Sequence, residues 1–76
     1  MTSVNILLSS INDVKNLVNI VCKYDFDIDL SSGRYVVDAK SIMGILSLDL
    51  SKPIKVDIFS EDGNNLVEEL KPFICE

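Results

Sequence analysis

The spacing of apolar residues switches repeatedly between two periods along the 76 residues of this chain, and this limits the folds open to it. Alternation, or a β-branched run, predicts strands with one buried face. These strand segments lie at about residues 2–8, 25–30, 35–37 and 54–58. Helical spacing of three and four predicts amphipathic helices. These helix segments lie at about residues 11–22, 42–48 and 66–74.

The order β-α-β-β-α-β-α predicts an α+β fold. Its economical packing is an open-faced two-layer sandwich, in which a four-stranded, mostly antiparallel sheet has three helices on one face. A chain of 76 residues is long enough for one domain only, so residues 1–76 are expected to fold as a single unit. The sequence leaves open whether this unit is a monomer or a dimer.

Charge and cysteine content exclude several classes of function. The net charge is −5 and the seven basic residues are scattered, which argues against binding to nucleic acid or to anionic membranes. Two cysteines far apart in sequence do not form a disulfide framework or a zinc motif. No apolar run approaches 18 residues, and the first residues lack the features of a signal peptide. We therefore expect a cytoplasmic protein with reduced thiols.

The chain contains no histidine, and this excludes a histidine base or a histidine-ligated metal. Asp25, Asp27 and Asp29 alternate along one strand and are expected to face solvent without binding an ion. No catalytic constellation, metal site or cofactor is predicted, so we do not expect an enzyme.

Two serines precede helices. Ser10 and Asp13 fit a capping box at the start of the first helix, with Ser10 as N-cap. Ile11 and Cys22 are placed on the buried stripe of that helix. Ser41 lies where the third strand ends and the second helix begins, so its hydroxyl is expected to cap that helix. A phosphate on Ser41 would meet the same N–H groups and the positive end of the helix dipole.

Residues 40–44 (Lys-Ser-Ile-Met-Gly), followed by Ser47 and Leu48, resemble the regulatory-serine motif of HPr, the phosphocarrier of the bacterial sugar phosphotransferase system. Residues 23–30 (Lys-Tyr-Asp-Phe-Asp-Ile-Asp-Leu) resemble the segment of that family that leaves the first helix, and no gap is needed between the two blocks. The resemblance covers residues 9–48 well and the remainder weakly. The family's segment order is the one derived above.

The chain departs from the family where the phosphoryl-accepting histidine is expected. Without a gap that position falls on Ser10, and with a shifted alignment it falls on Asn12. In the alignment without a gap, the family's neighbouring arginine falls on Asn12 and the following proline falls on Asp13. Asp49 stands where the family usually has glycine, which puts the turn after the second helix in question.

The resemblance therefore implies a histidine-lacking, catabolite-repression type of HPr. In that type, HPr kinase/phosphorylase modifies the serine, here Ser41, and the modified protein docks on a transcriptional regulator through residues matching Ile42, Met43 and Leu46. An alternative is a divergent HPr-fold module that binds a protein partner and is never phosphorylated. The bland interpretations are that Ser41 is only a helix cap and that the apolar residues of the second helix belong to the core.

Overall fold

The computed structural model describes residues 2–61 and 63–75, and its elements follow the predicted order. The strands are β1 (Thr2–Ile6), β2 (Ile28–Ser32), β3 (Tyr35–Asp38) and β4 (Ile54–Ile58). The helices are α1 (Ile11–Val21), α2 (Ile42–Leu46) and α3 (Asn64–Leu70), and a single 3₁₀ turn (Lys71–Phe73) follows α3. No helix within the described residues is long and apolar enough to cross a membrane.

The four strands form one antiparallel sheet in the order β1-β4-β2-β3. The pairing places Val4, Val56, Leu30 and Val37 side by side across the four strands. Val56 and Leu30, at the centre of this row, are fully buried. Because side chains alternate between the two faces of a strand, the neighbouring row lies on the opposite, open face of the sheet.

The three helices cover the apolar face of the sheet and complete one core. They contribute Val14, Leu17, Val21, Ile45, Leu66 and Leu70, all fully buried. Burial of such side chains contributes about 25 cal/mol per Å² of apolar surface, which is the main force holding two layers together. The predicted α+β sandwich with helices on one face is confirmed.

A tight turn joins β2 to β3. Ser32 pairs with Tyr35, which leaves Gly33 and Arg34 as the two loop residues. Gly33 has a φ of 60°, the only positive φ in the described part of the chain. A glycine at the first loop position followed by a residue with negative φ is the pattern of a type II′ hairpin turn.

Several element ends differ from prediction. The second strand begins at Ile28, not at residue 25, and Phe26 is half-buried beside Tyr24 with ring centroids 5.3 Å apart. The last helix ends at Leu70 because Pro72 has no N–H with which to continue it. Ile74 instead pairs with Ile6 at the edge of the sheet.

Two predicted core residues are exposed. Cys22 is the C-cap of α1, so its side chain lies beyond the last buried turn of the helix. Ile11 is the first residue of α1 and is 60% exposed, because it lies at the rim of the core beside a surface groove. Asp25 and Asp27 are exposed as predicted, whereas Asp29 is half-buried.

Candidate phosphorylation and docking site

Ser41 is exposed and is the N-cap of α2. Its Oγ accepts a hydrogen bond from the backbone N–H of Gly44 at 3.3 Å, and its own N–H donates to the carbonyl oxygen of Asp38 at 3.0 Å. The capping role predicted from sequence is therefore present. The hydroxyl remains at the surface of the protein.

Gly44 leaves room for that hydroxyl. A Cβ on Gly44 would lie 3.3 Å from the Oγ of Ser41 and 3.2 Å from the Cβ of Val37. Both distances are shorter than an ordinary van der Waals contact between heavy atoms. A larger side chain at this position would crowd the serine from one side and β3 from the other.

The apolar side chains of α2 divide between the core and the surface. Ile45 is fully buried, and Ile42 is half-buried against the core. Met43 is 76% exposed and Leu46 is 41% exposed. Of the three predicted docking residues, Met43 and Leu46 thus present the most surface to solvent. The side chain of Ile42 lies partly in the core and partly at the surface.

Ser10, which was predicted to match the position of the family's histidine, caps α1. Its Oγ accepts from the N–H of Asp13 at 3.2 Å. The Asp13 carboxylate accepts from the N–H of Ser9 at 2.9 Å and from the Ser9 hydroxyl at 2.7 Å. In a capping box the carboxylate would accept from the N–H of the N-cap residue, Ser10. Here it accepts from the N–H of Ser9, one residue earlier. Asn12, the alternative match, is an exposed residue in the first turn of α1.

The hydrogen bonds from Ser9 favour the ionised form of Asp13. The Ser9 hydroxyl and then its backbone N–H hold the pKa of the Asp13 carboxyl below its usual value. At neutral pH the first turn of α1 therefore has a fixed negative charge three residues from Ser10. This charge would oppose a phosphoryl group at that end of the helix.

An open apolar groove of about 450 Å³ adjoins Ser10. The groove is lined by Leu7, Leu8, Ser9, Ser10, Ile11, Leu50 and Ser51. Leu7 and Leu50 were not predicted as site residues. The signal for Leu7 was the apolar run at residues 6–8, which interrupts strict alternation, whereas nothing in the sequence places Leu50 beside it.

Lys40 and Tyr24 connect the start of α2 to the rest of the molecule. The Lys40 ammonium donates to the carbonyl oxygen of Tyr24 at 2.7 Å. The Tyr24 hydroxyl and the Lys23 ammonium both donate to the Glu69 carboxylate of α3. The hydrogen bond from Lys23 lowers the pKa of Glu69 most, and the bond from Tyr24 lowers it further. The bond between Tyr24 and Glu69 also raises the pKa of Tyr24. The segment before Ser41 is thus bonded to the segment that leaves α1, and through it to α3.

Asp49 stabilises the turn after α2 through local bonds. Its carboxylate accepts from the N–H of Ser51 at 3.1 Å and from the Ser51 hydroxyl at 2.5 Å, which lowers the Asp49 pKa. No residue other than glycine has a positive φ in residues 2–61 and 63–75, so this turn does not require glycine. Over the same ranges, no cluster of three or more cysteine or acidic side chains is arranged to hold a metal ion.

Comparison with known proteins agrees with this fold. The family model described as "PTS HPr component phosphorylation site" matches residues 13–76, a span that begins after Ser10 and Asn12. A search of curated proteins finds no match.

Two solved structures are similar over most of the chain. HPr-C-His of Thermoanaerobacter tengcongensis is 27% identical with a TM-score of 0.77, over 92% of this chain and 86% of that one. The phosphocarrier protein HPr of Bacillus anthracis str. Ames is 22% identical with a TM-score of 0.74, over 97% and 96%, and shows a shared fold. Because the family model matches most of its length, this chain belongs to the HPr family of the phosphotransferase system.

Proposed function

We propose that this chain is a regulatory HPr-family protein of the cytoplasm that signals through Ser41 and is not a catalyst. HPr kinase/phosphorylase would transfer the γ-phosphoryl group of ATP to the Ser41 Oγ, releasing ADP and the hydroxyl proton. The modified protein would then dock on a transcriptional regulator through Ile42, Met43 and Leu46.

The observation that supports this proposal is an exposed serine next to exposed apolar side chains. The Ser41 hydroxyl lies at the surface, held by a single 3.3 Å bond from Gly44, and Met43 is 76% exposed two residues later. A phosphate oxygen can accept the same N–H, so modification is compatible with the cap. It would add about two negative charges beside an apolar patch. A partner with a basic residue beside an apolar contact surface would bind the phosphorylated protein more tightly than the unphosphorylated protein.

Transfer of phosphate as in a simple phosphocarrier is opposed by the residues at the start of α1. The chain has no histidine, and the Oγ of Ser10 is already the acceptor for a helix N–H. The neighbouring Asp13 carboxylate is held in its ionised form by Ser9. Enzyme I with phosphoenolpyruvate is therefore expected to leave the protein unlabelled.

Intact-mass measurement after incubation with ATP and HPr kinase/phosphorylase tests the proposal. The wild type should gain one phosphate and Ser41→Ala none. Ser47→Ala is the matched control, because Ser47 is the C-cap of the same helix and its hydroxyl donates to the Gly44 carbonyl at 2.6 Å. Loss of labelling in both variants would point to a damaged helix and not to Ser41 as the acceptor.

The second candidate is a partner-binding module that is never phosphorylated. The exposed Met43 and Leu46 favour it equally, since an apolar patch can bind a protein without a phosphate. A kinase assay and a binding measurement together distinguish the two candidate functions. If the kinase leaves the wild type unmodified, and the unmodified protein binds a partner that Met43→Lys does not bind, the second candidate is correct.

A further inference from the structure

The two edges of the sheet differ in how far the rest of the chain covers them. At the β1 edge, the N–H of Leu7 donates to the carbonyl of Phe73 at 2.8 Å and the N–H of Cys75 donates to the carbonyl of Asn5 at 3.1 Å. At the other edge, no strand of the described chain lies beyond β3. β3 also lacks the lysine or proline with which edge strands usually block pairing.

The backbone of β3 directs pairing groups outward. The N–H of Ala39 donates to the carbonyl of Ile28 at 2.9 Å, so these two residues form a hydrogen-bonded pair. Such pairs alternate along an antiparallel ladder, so Tyr35 and Val37 bond to β2. Val36 and Asp38 then turn their backbone groups away from the sheet. The Asp38 carbonyl accepts from Ser41, which leaves the N–H and C=O of Val36 and the N–H of Asp38 at the open edge.

We propose that β3 pairs with β3 of a second copy of this chain, antiparallel and centred on Val36. The two Val36 residues would exchange both of their outward backbone bonds across the dimer axis. The symmetry then places Arg34 of each copy opposite Asp38 of the other. It also places Tyr35 opposite Val37. An eight-stranded sheet would result, and it needs no change in either core.

Charge selects this register. Arg34 and Asp38 are both exposed, and neither takes part in the ion pairs within residues 2–61 and 63–75. The pairing centred on Val36 makes two opposite-charge pairs, which stabilise adjacent strands. A shift of the centre toward Val37 would set Arg34 opposite Lys40, which is unfavourable. A shift toward Tyr35 would set Arg34 opposite Val36, so neither Arg34 nor Asp38 would face an opposite charge on the other copy.

Exposed apolar surface adds to the same edge. Tyr35 is 73% exposed and Val36 is 63% exposed, on opposite faces of the strand. Both side chains would lose contact with water against the second copy. Because only one short strand from each copy takes part, the dimer is expected to be weak and concentration-dependent. This pairing does not depend on the proposed role of Ser41.

Sedimentation equilibrium on charge-reversed variants tests the proposal. Wild-type protein should shift from monomer to dimer as its concentration approaches about 1 mM. Arg34→Glu and Asp38→Lys should each weaken self-association about tenfold or more, because like charges then face each other across the axis. An equimolar mixture of the two variants should recover it, since the introduced glutamate of one copy then faces the introduced lysine of the other.

A backbone variant checks the edge independently of charge. Val36→Pro removes an N–H that β2 does not use, so it should abolish the dimer while circular dichroism shows the fold unchanged. The proposal is overturned if the wild type stays monomeric over this range, or if the mixture fails to recover association. It is also overturned if Val36→Pro dimerises like the wild type.

Discussion

The ammonium group of Lys40 donates a hydrogen bond to the backbone carbonyl oxygen of Tyr24, at 2.7 Å. This bond joins the residue before Ser41 to the segment that leaves α1, across 16 positions of sequence. Lys40→Met keeps the length of the side chain and removes the donor. We expect it to lower the free energy of unfolding by about 1 kcal/mol in urea titrations. Lys15→Met, on the exposed face of α1, is the control and should change it by less than about 0.5 kcal/mol. Equal effects of the two changes would contradict a structural role for the Lys40 bond.

Two serine caps should respond alike to truncation. Ser10 and Ser41 each accept one N–H at the start of a helix, at 3.2 and 3.3 Å. Ser10→Ala and Ser41→Ala are each expected to cost about 1 kcal/mol, measured by urea unfolding. Ser41→Asp should retain most of the stability, because aspartate is an equally good cap. If Ser41→Asp is less stable than Ser41→Ala, the cap at α2 does not act as the geometry indicates.

Asp13 should make the start of α1 sensitive to acid. Its pKa is lowered in the fold by the Ser9 hydroxyl and N–H, so the ionised form is the one that stabilises the native state. That stabilisation is fully present above the ordinary pKa of 3.8 and is lost as the pH falls through the lower value of the folded state. A carbon-13 NMR titration of the Asp13 carboxyl measures this directly. In Ser9→Ala the Asp13 pKa should rise toward 3.8, and an unchanged value would contradict the assigned cause.

The fold was predictable from sequence because each strand and helix buries one face, and the apolar residues of that face recur with a fixed period. Each strand and helix was found from one apolar face, and only their ends were misplaced. The second strand begins at Ile28 because Phe26 packs against the tilted ring of Tyr24 instead of entering the sheet. Pro72 indicates where the last helix ends. The apolar residues on either side of it keep helical spacing, so the predicted helix continued past it.

The candidate site was predictable only where it is local. Ser41 precedes an apolar run, so its capping role follows from neighbouring residues alone. How α2 divides its apolar side chains between core and solvent depends on the sheet beneath it, so the exposure of Met43 and the partial burial of Ile42 were not distinguished. The bond from Tyr24 to Glu69 joins residues 45 positions apart, and no sequence pattern indicates it.

The exposed part of α2 should be separable from its structural part by substitution. Met43 is 76% exposed, so Met43→Lys is expected to change the free energy of unfolding by less than about 0.5 kcal/mol. The same change places a charge in the proposed docking surface and should weaken binding of the phosphorylated protein to its regulator at least tenfold by calorimetry, about 1.4 kcal/mol. Phe59→Lys alters another exposed apolar side chain, outside α2, and should leave that affinity unchanged. If Met43→Lys binds as the wild type does, the docking surface lies elsewhere, and the groove beside Ser10 becomes the next surface to test.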